Sequence, residues 1–211
     1  MKKLSICLLI VFAVSLMFAQ RKANVRAGFL TPKDSKTGFI GGFSYGSEID
    51  ETVSLDFGMD IFYKGFDEKR EIQTDSTEAG NDVTTIKKTA DLTTLYFPVQ
   101  GNVKVRLPLD SEVKPYFKAG LGWGFLWEDV FVAKTEENEK IDDVKFYNGF
   151  NWNLSLGVDY PLGSKSKIFG EFFYNAGKMK RNKEETEYGI TWDEIDVSGI
   201  GLRFGIDFEL R

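Results

Sequence analysis

Asp56 and Asp60 stand four residues apart in a segment that alternates apolar and polar positions, so both carboxylates lie on one face of an extended strand. Such a pair can divide general acid and base roles between its members. The same face of the neighbouring segments carries lysine and arginine, however, and salt bridges are the expected use of these groups. No histidine occurs in the 211 residues, which removes Ser-His and Asp-His hydrolytic machinery and histidine metal sites. The single cysteine, Cys7, lies in an apolar leader, leaving the rest of the chain without a disulfide, a thiolate metal site or a cysteine nucleophile. Gly120-Leu121-Gly122-Trp123-Gly124 has the glycine spacing of a nucleotide loop, but it sits inside a strand pattern with no helix after it. Acidic runs at Asp75-Ser76-Thr77-Glu78 through Asp82 and at Glu136-Glu137-Asn138-Glu139 could collect calcium or magnesium. Neither has the spacing of a formed oxygen cage, and solvated loop tips are expected. Enzymatic activity, a metal and a cofactor are therefore not expected.

The elements that must hold these side chains begin after a short leader. Met1-Lys2-Lys3, the apolar run Leu4 to Phe18 and the small Ala19 form a secretory signal peptide pattern, with cleavage expected after Ala19 and a single domain over 20–211. The run is shorter than the roughly 20 residues of a membrane-spanning helix. The formal net charge of -5 becomes more negative once Lys2 and Lys3 are removed, which argues against nucleic acid as a partner. A mean hydropathy of -0.24 excludes a helical membrane protein but not a membrane barrel, in which inward-facing residues dilute the average.

Eight segments alternate with period two: 24–30, 38–46, 52–64, 92–107, 114–127, 150–160, 167–176 and 196–210. In the last, Ser198, Ile200, Leu202, Phe204, Ile206, Phe208 and Leu210 share one face; Gly199, Gly201, Arg203, Gly205, Asp207 and Glu209 share the other. Short turns at Ser47 to Glu51, Pro108 to Glu112 and Pro161 to Ser166 alternate with long polar excursions. This predicts an all-β fold, an eight-stranded antiparallel up-and-down transmembrane β-barrel with short periplasmic turns and long extracellular hairpin loops.

A lipocalin-like soluble barrel also alternates, with its apolar face inward. A lumen of eight strands is just wide enough for side chains or one small ligand, too narrow for so many large apolar groups. The apolar face is therefore expected to touch lipid. That assigns Arg26, Lys64, Lys104, Arg106, Lys118 and Arg203 to the lumen with Asp56, Asp60, Asp159, Glu171, Asp207 and Glu209, equal numbers of each sign. Charges in a narrow, partly dry space need partners, so a structural plug of salt bridges is expected, with a selective ion path as the alternative. Segment 167–176 is ambiguous, because Phe169 and Phe173 share a face with Glu171 and Asn175. Tyr63, Trp127, Trp152 and Tyr174 are expected in an outer aromatic girdle, and Tyr45, Tyr116, Tyr160 and Phe208 in an inner one.

The excursions hold more acidic than basic residues, and strand-like stretches, Val83 to Ile86, Val130 to Ala133 and Ile141 to Tyr147, flank their tips. Hairpins that continue beyond the membrane would expose β edges to which a protein partner could add a strand; hairpins that merely stiffen the rim are the alternative.

Leu95-Tyr96-Phe97-Pro98-Val99, Lys114-Pro115-Tyr116-Phe117-Lys118-Ala119-Gly120-Leu121-Gly122 and the alternating last strand resemble the outer-membrane β-barrel family that groups small OmpX-like and OmpA-like barrels with PorT-like porin-family proteins. The resemblance spans the chain after the leader and implies a bacterial outer-membrane location, lipid as the surrounding partner, and a monomer. Members that hydrolyse lipids or peptides use histidine, so that activity is not implied. These barrels often end on an aromatic residue; this chain ends Phe208-Glu209-Leu210-Arg211. The expected role is structural or adhesive through the acidic hairpin rim, with a narrow pore for ions or small solutes as first alternative and a secreted soluble barrel binding a lipophilic ligand as second.

Overall fold

The structure, a computed structural model, describes residues 20–33, 36–76, 82–133, 140–181, 184–186, 189–191 and 194–210. The leader and the side chains of both acidic tips lie outside the described residues. The long strands are β1 (Gln20–Pro32), β2 (Gly38–Glu48), β3 (Val53–Ser76), β4 (Asp82–Arg106), β5 (Lys114–Ala133), β6 (Lys140–Pro161) and β7 (Ser166–Lys180). Short strands β8 (Glu184–Thr186), β9 (Gly189–Thr191) and β10 (Glu194–Asp196) precede the closing strand β11 (Gly199–Leu210).

Each long strand pairs antiparallel with its predecessor, β11 returns to β1 from Arg21↔Leu210 to Pro32↔Gly199, and β7 pairs both β6 and β11. The result is a closed eight-stranded barrel of β1–β7 and β11. Closure leaves the ring without a free sheet edge, which is the condition for a sheet to survive in hydrocarbon. The ladder is interrupted where chemistry demands it: β3 and β4 pair at Met59↔Val99 and again at Phe62↔Tyr96, and the gap falls at Pro98, which has no N–H to donate.

Burial settles which face points where. Phe204 is 63% exposed while the adjacent Arg203 is 2% exposed, and Phe57 and Leu121 are as open as Phe204. Phe29, Phe43, Phe150, Leu156 and Leu202 are likewise outward, whereas Arg26, Asp60, Lys104, Asp159 and Glu171 are buried. An arrangement with most large apolar groups outside and charge inside suits a lipid solvent.

The end with both termini carries tight turns. Asp50 accepts the backbone N–H groups of Thr52 and Val53 at 2.7 Å each, and these bonds hold its carboxyl below the usual aspartate value. Gly163 takes φ +81° in the β6–β7 turn, a conformation that favours glycine.

The other end differs from the sequence expectation in length. β3 has 24 residues and β4 25, against the roughly 9–11 that a tilted strand needs to cross a bilayer. β3 and β4 stay paired to Ser76↔Asp82, β4 and β5 to Ala90↔Val132, and β5 and β6 to Ala133↔Lys140. β2 leaves β3 at Tyr63, and β7 leaves β6 at Lys180. A four-stranded blade therefore continues past the rim, and from Lys64 to Ser76 the outer edge of β3 has no strand beside it among the described residues. At ~3.3 Å per residue that edge advances about 40 Å along the strand.

Phe204→Lys, which places an ammonium near the middle of the lipid-facing wall, is expected to destabilise the folded barrel by about 2–4 kcal/mol. Urea titration in lipid vesicles checks this. A change below about 0.5 kcal/mol, the usual size at an ordinary exposed surface position, would contradict the outward orientation.

Candidate functional site

The lumen is the candidate site, and its charged side chains form two tiers. Near the short turns, Arg106 reaches Asp159 Oδ2 through Nε at 2.9 Å and Glu48 Oε1 through Nη2 at 2.7 Å. Lys104 Nζ lies 2.7 Å from Asp159 Oδ1 and 3.3 Å from Asp207 Oδ2, and 3.9 Å over the Tyr116 ring. Lys167 Nζ bridges Glu48 at 3.1 Å and Glu209 at 3.4 Å. Asn24 Nδ2 donates to Asp207 Oδ1, and Lys22 Nζ donates to Ser54 Oγ at 2.7 Å.

The central tier is organised by two carboxylates. Asp60 accepts Arg26 Nε at 2.6 Å on one oxygen and Arg203 Nη1 at 2.7 Å on the other. Glu171 Oε1 is 2.7 Å from Arg203 Nε, and its Oε2 is 2.7 Å from Lys118 Nζ and accepts the Tyr116 hydroxyl at 3.0 Å. Asp56, half-buried, accepts Asn102 Nδ2 at 2.9 Å. Alternating strand geometry positions all of these: Lys104, Lys118 and Ser155 are successive cross-strand partners, as are Arg203 and Glu171. The like-charged neighbours Lys104 and Lys118 are tolerated because each turns to a different carboxylate.

Toward the long-hairpin end of the lumen, apolar side chains gather beyond the charges. Leu30, Ile40, Phe62, Tyr96, Leu126, Tyr147, Phe173, Met179 and Val197 are buried against one another, and Tyr96 Oη accepts Asn151 Nδ2 at 2.8 Å. Phe173 also roofs the central tier, with the Arg203 guanidinium 4.0 Å over its ring. Phe173 and Phe169 fit because their cross-strand partners are Gly201 and Gly205, where an added Cβ would run into those rings. This accounts for the ambiguous seventh segment: the aromatic rings occupy space that glycine leaves in the opposite wall.

Of the lumen residues predicted from sequence, Arg26, Asp56, Asp60, Lys104, Arg106, Lys118, Asp159, Glu171, Arg203, Asp207 and Glu209 are brought into the two tiers. Lys64 stands half-buried on β3 and joins none of the described ion pairs. Sequence reasoning misses Lys22, Glu48 and Lys167, which lie at strand ends. It also misses the apolar ring, whose signal is a run of apolar residues on both faces: Phe29-Leu30, Phe39-Ile40, Ile61-Phe62-Tyr63, Leu95-Tyr96-Phe97, Phe125-Leu126-Trp127 and Phe146-Tyr147. Tyr45, Tyr63, Trp127, Tyr160, Tyr174 and Phe208 face outward, with Trp152 half-buried beside Tyr174 at 5.7 Å between ring centroids. Tyr116 corrects the inner girdle, being buried in the lumen instead, since it shares the parity of Lys118 and not that of Phe117.

A closed antiparallel barrel with apolar groups outside, paired charge inside and short turns at one end defines the integral outer-membrane class of β-barrel. The chain matches the outer membrane protein beta-barrel domain family over residues 4–208, and it belongs to that family. Its place is the bacterial outer membrane, which excludes the secreted soluble barrel. No curated protein matches it in sequence. Among solved structures, OprG from Pseudomonas aeruginosa is similar over 92% of this chain and 97% of its own, with a TM-score of 0.54 at 14% identity. A major outer membrane protein from Thermus thermophilus is similar over 90% and 99%, also with a TM-score of 0.54 at 14% identity. These likenesses are of fold.

Asp60→Asn removes the charge that Arg26 and Arg203 share. Leaving buried cations without their counter-ion is expected to cost about 3–5 kcal/mol, whereas Lys64→Gln should change stability by less than about 0.5 kcal/mol. Unfolding titrations in lipid compare the two; equal effects would contradict the two-tier assignment.

Proposed function

We propose that this protein is a closed, non-enzymatic membrane anchor that presents its β-blade outside the cell. The observation that carries the reading is the pairing of the lumen charges in two tiers beneath a ring of buried apolar side chains. Charged groups engaged with one another at 2.6–3.4 Å have little freedom to escort ions, and an apolar constriction resists wetting. The absence of histidine and the pairing of the lumen carboxylates support a role without catalysis. Residues 1–19 serve as the export signal in this reading.

The blade supplies the contact surface. Above the rim the outer edge of β3 offers main-chain N–H and C=O groups, to which a partner's extended segment can add by strand pairing. The acidic balance of the surrounding loops favours partners with basic side chains beside that segment. A second reading as a narrow pore draws on one feature: Gln100 Nε2, Asn151 Oδ1, Asn153 Oδ1, Ser155 Oγ and Arg203 Nη2 are buried without a hydrogen-bond partner among the described residues, which suits a wetted layer between ring and charges.

In planar bilayers the native chain is expected to show no conductance steps, and the triple variant Phe62→Ala, Tyr96→Ala, Leu126→Ala is expected to show them. Native conductance that vanishes with Lys104→Gln or Arg203→Gln would establish the pore reading instead. Replacing residues 66–92 with an Asn-Gly turn is expected to leave heat-modifiable gel migration intact while abolishing capture of a lysine-bearing, strand-forming peptide by cells that display the protein. Unchanged capture would remove the blade as the contact surface.

A further inference from the structure

The apolar wall that faces lipid is taller on one side of the barrel than on the other. On β11 the outward apolar positions run from Leu210 up to Ile200 and stop, because the next outward positions are Ser198, Asp196 and Glu194. On β6 they run from Leu162 past Trp152 and Phe150 to Phe146 and Val144, with Asn148 as the polar interruption. At ~3.3 Å per residue and a tilt of ~40°, the first path climbs about 25 Å and the second about 45 Å. An outer-membrane barrel meets hydrocarbon over about 25 Å of height. β11 therefore fills the band, and β6 overshoots it. Trp152, in contact with the Tyr174 ring, lies as far from Leu162 along β6 as Ile200 lies from Leu210 along β11, at the top of the band. Phe146 stands about 15 Å higher.

Cross-strand register sets Tyr63, Leu95, Trp127 and Phe146 in one row across the outer face of β3 to β6. The Trp127 ring lies 5.2 Å from Phe97 and 5.0 Å from Phe146 between centroids, and Tyr63, Trp127, Val144 and Phe146 are exposed. Contiguous apolar surface held outside the hydrocarbon marks a docking site. A partner's strand cannot add across this row, since the main chains of β4 and β5 are already paired on both sides. The occupant must bring side chains alone, and a helix, whose own main chain is satisfied, does so.

We propose that the patch seats an amphipathic helix of a partner protein, laid along the row from Tyr63 to Phe146 with its aliphatic stripe on the rings and lysine or arginine on its flank. This surface is separate from the open edge of β3, and its occupancy does not depend on strand pairing there. The row spans about 14 Å, the length of about ten helical residues. Asp129, exposed on the same face next beyond Trp127, favours a basic flank. It disfavours a second copy of this chain, which would set like charges against each other. Leu95 and Val144 would strand sugar hydroxyls against aliphatic surface, which selects a protein over a glycan.

Binding of a leucine-lysine amphipathic peptide of about 18 residues to the full chain in phosphatidylcholine nanodiscs, with empty nanodiscs as baseline, tests the proposal. Trp127→Ala and Phe146→Ala are each expected to weaken binding about tenfold, Trp127→Phe much less, and Leu156→Ala on the lipid-facing wall not at all. Asp129→Asn should cost at most about fivefold. Heat-modifiable gel migration of each variant separates loss of the site from loss of the fold. In intact cells Phe146→Cys should react with a membrane-impermeant thiol reagent and be protected by the peptide, whereas Leu156→Cys should stay unlabelled. Binding no stronger than to empty nanodiscs, binding unchanged by both alanine variants, or a Phe146→Cys that resists the reagent would overturn the proposal. Displacement of the peptide by maltoheptaose, or a dimer that Trp127→Ala dissolves, would overturn it in favour of a glycan or a second copy.

Discussion

A sheet in hydrocarbon cannot leave an edge of main-chain hydrogen-bonding groups open, and the closing ladder between β1 and β11 is what the rest of this molecule depends on. Once the ring is closed, period-two geometry leaves each side chain only two destinations. Phe204 goes to lipid and Arg203 to the lumen because they are neighbours on one strand, not because either was placed separately. Eight strands enclose a space about the size of the side chains themselves, so ions sent inward must find partners. Asp60 between Arg26 and Arg203, and Glu171 between Arg203 and Lys118, are the arrangement that this confinement requires.

The filling is graded along the barrel axis. Charges at the periplasmic end, including Lys167 and Glu209, are partly open, the central tier is buried, and the far end is apolar. In the proposed reading as a closed anchor, ions would have to leave paired sites and then cross Phe62, Tyr96, Leu126 and Met179. Beyond the apolar ring β3 to β6 stay paired, and from Lys64 to Ser76 the outer side of β3 has no strand beside it among the described residues. One continuous sheet thus serves lipid, lumen and exterior in turn.

Much of this is legible in the sequence, for physical reasons that also mark where legibility stops. Ile200, Leu202, Phe204, Ile206 and Phe208 alternate cleanly with Gly201, Arg203, Gly205 and Asp207, since lipid and lumen impose opposite demands on them. Tyr116 is easily misplaced because it stands beside Phe117, and two adjacent aromatic residues carry no period. The apolar ring escapes notice for a related reason: at Leu95-Tyr96-Phe97 and Phe125-Leu126-Trp127 both faces are apolar, so alternation vanishes where the seal lies. Lys22 and Glu48 fall outside the alternating segments, and Val83 to Ile86, Val130 to Ala133 and Ile141 to Tyr147 read as strand-like without recording how far the paired ladders run. Which lysine meets which carboxylate depends on cross-strand register, which no single segment records.

The central claim is a lumen shut from the outside by its apolar ring, with side chains below it out of reach of external solutes. Ser155 lies beneath that ring and is 2% exposed. With Cys7 replaced, Ser155→Cys in intact cells should resist a charged, membrane-impermeant thiol reagent until the protein is unfolded, whereas Lys36→Cys on the outer rim should react at once. Labelling of Ser155→Cys in the folded protein at a rate comparable to Lys36→Cys would contradict a sealed lumen.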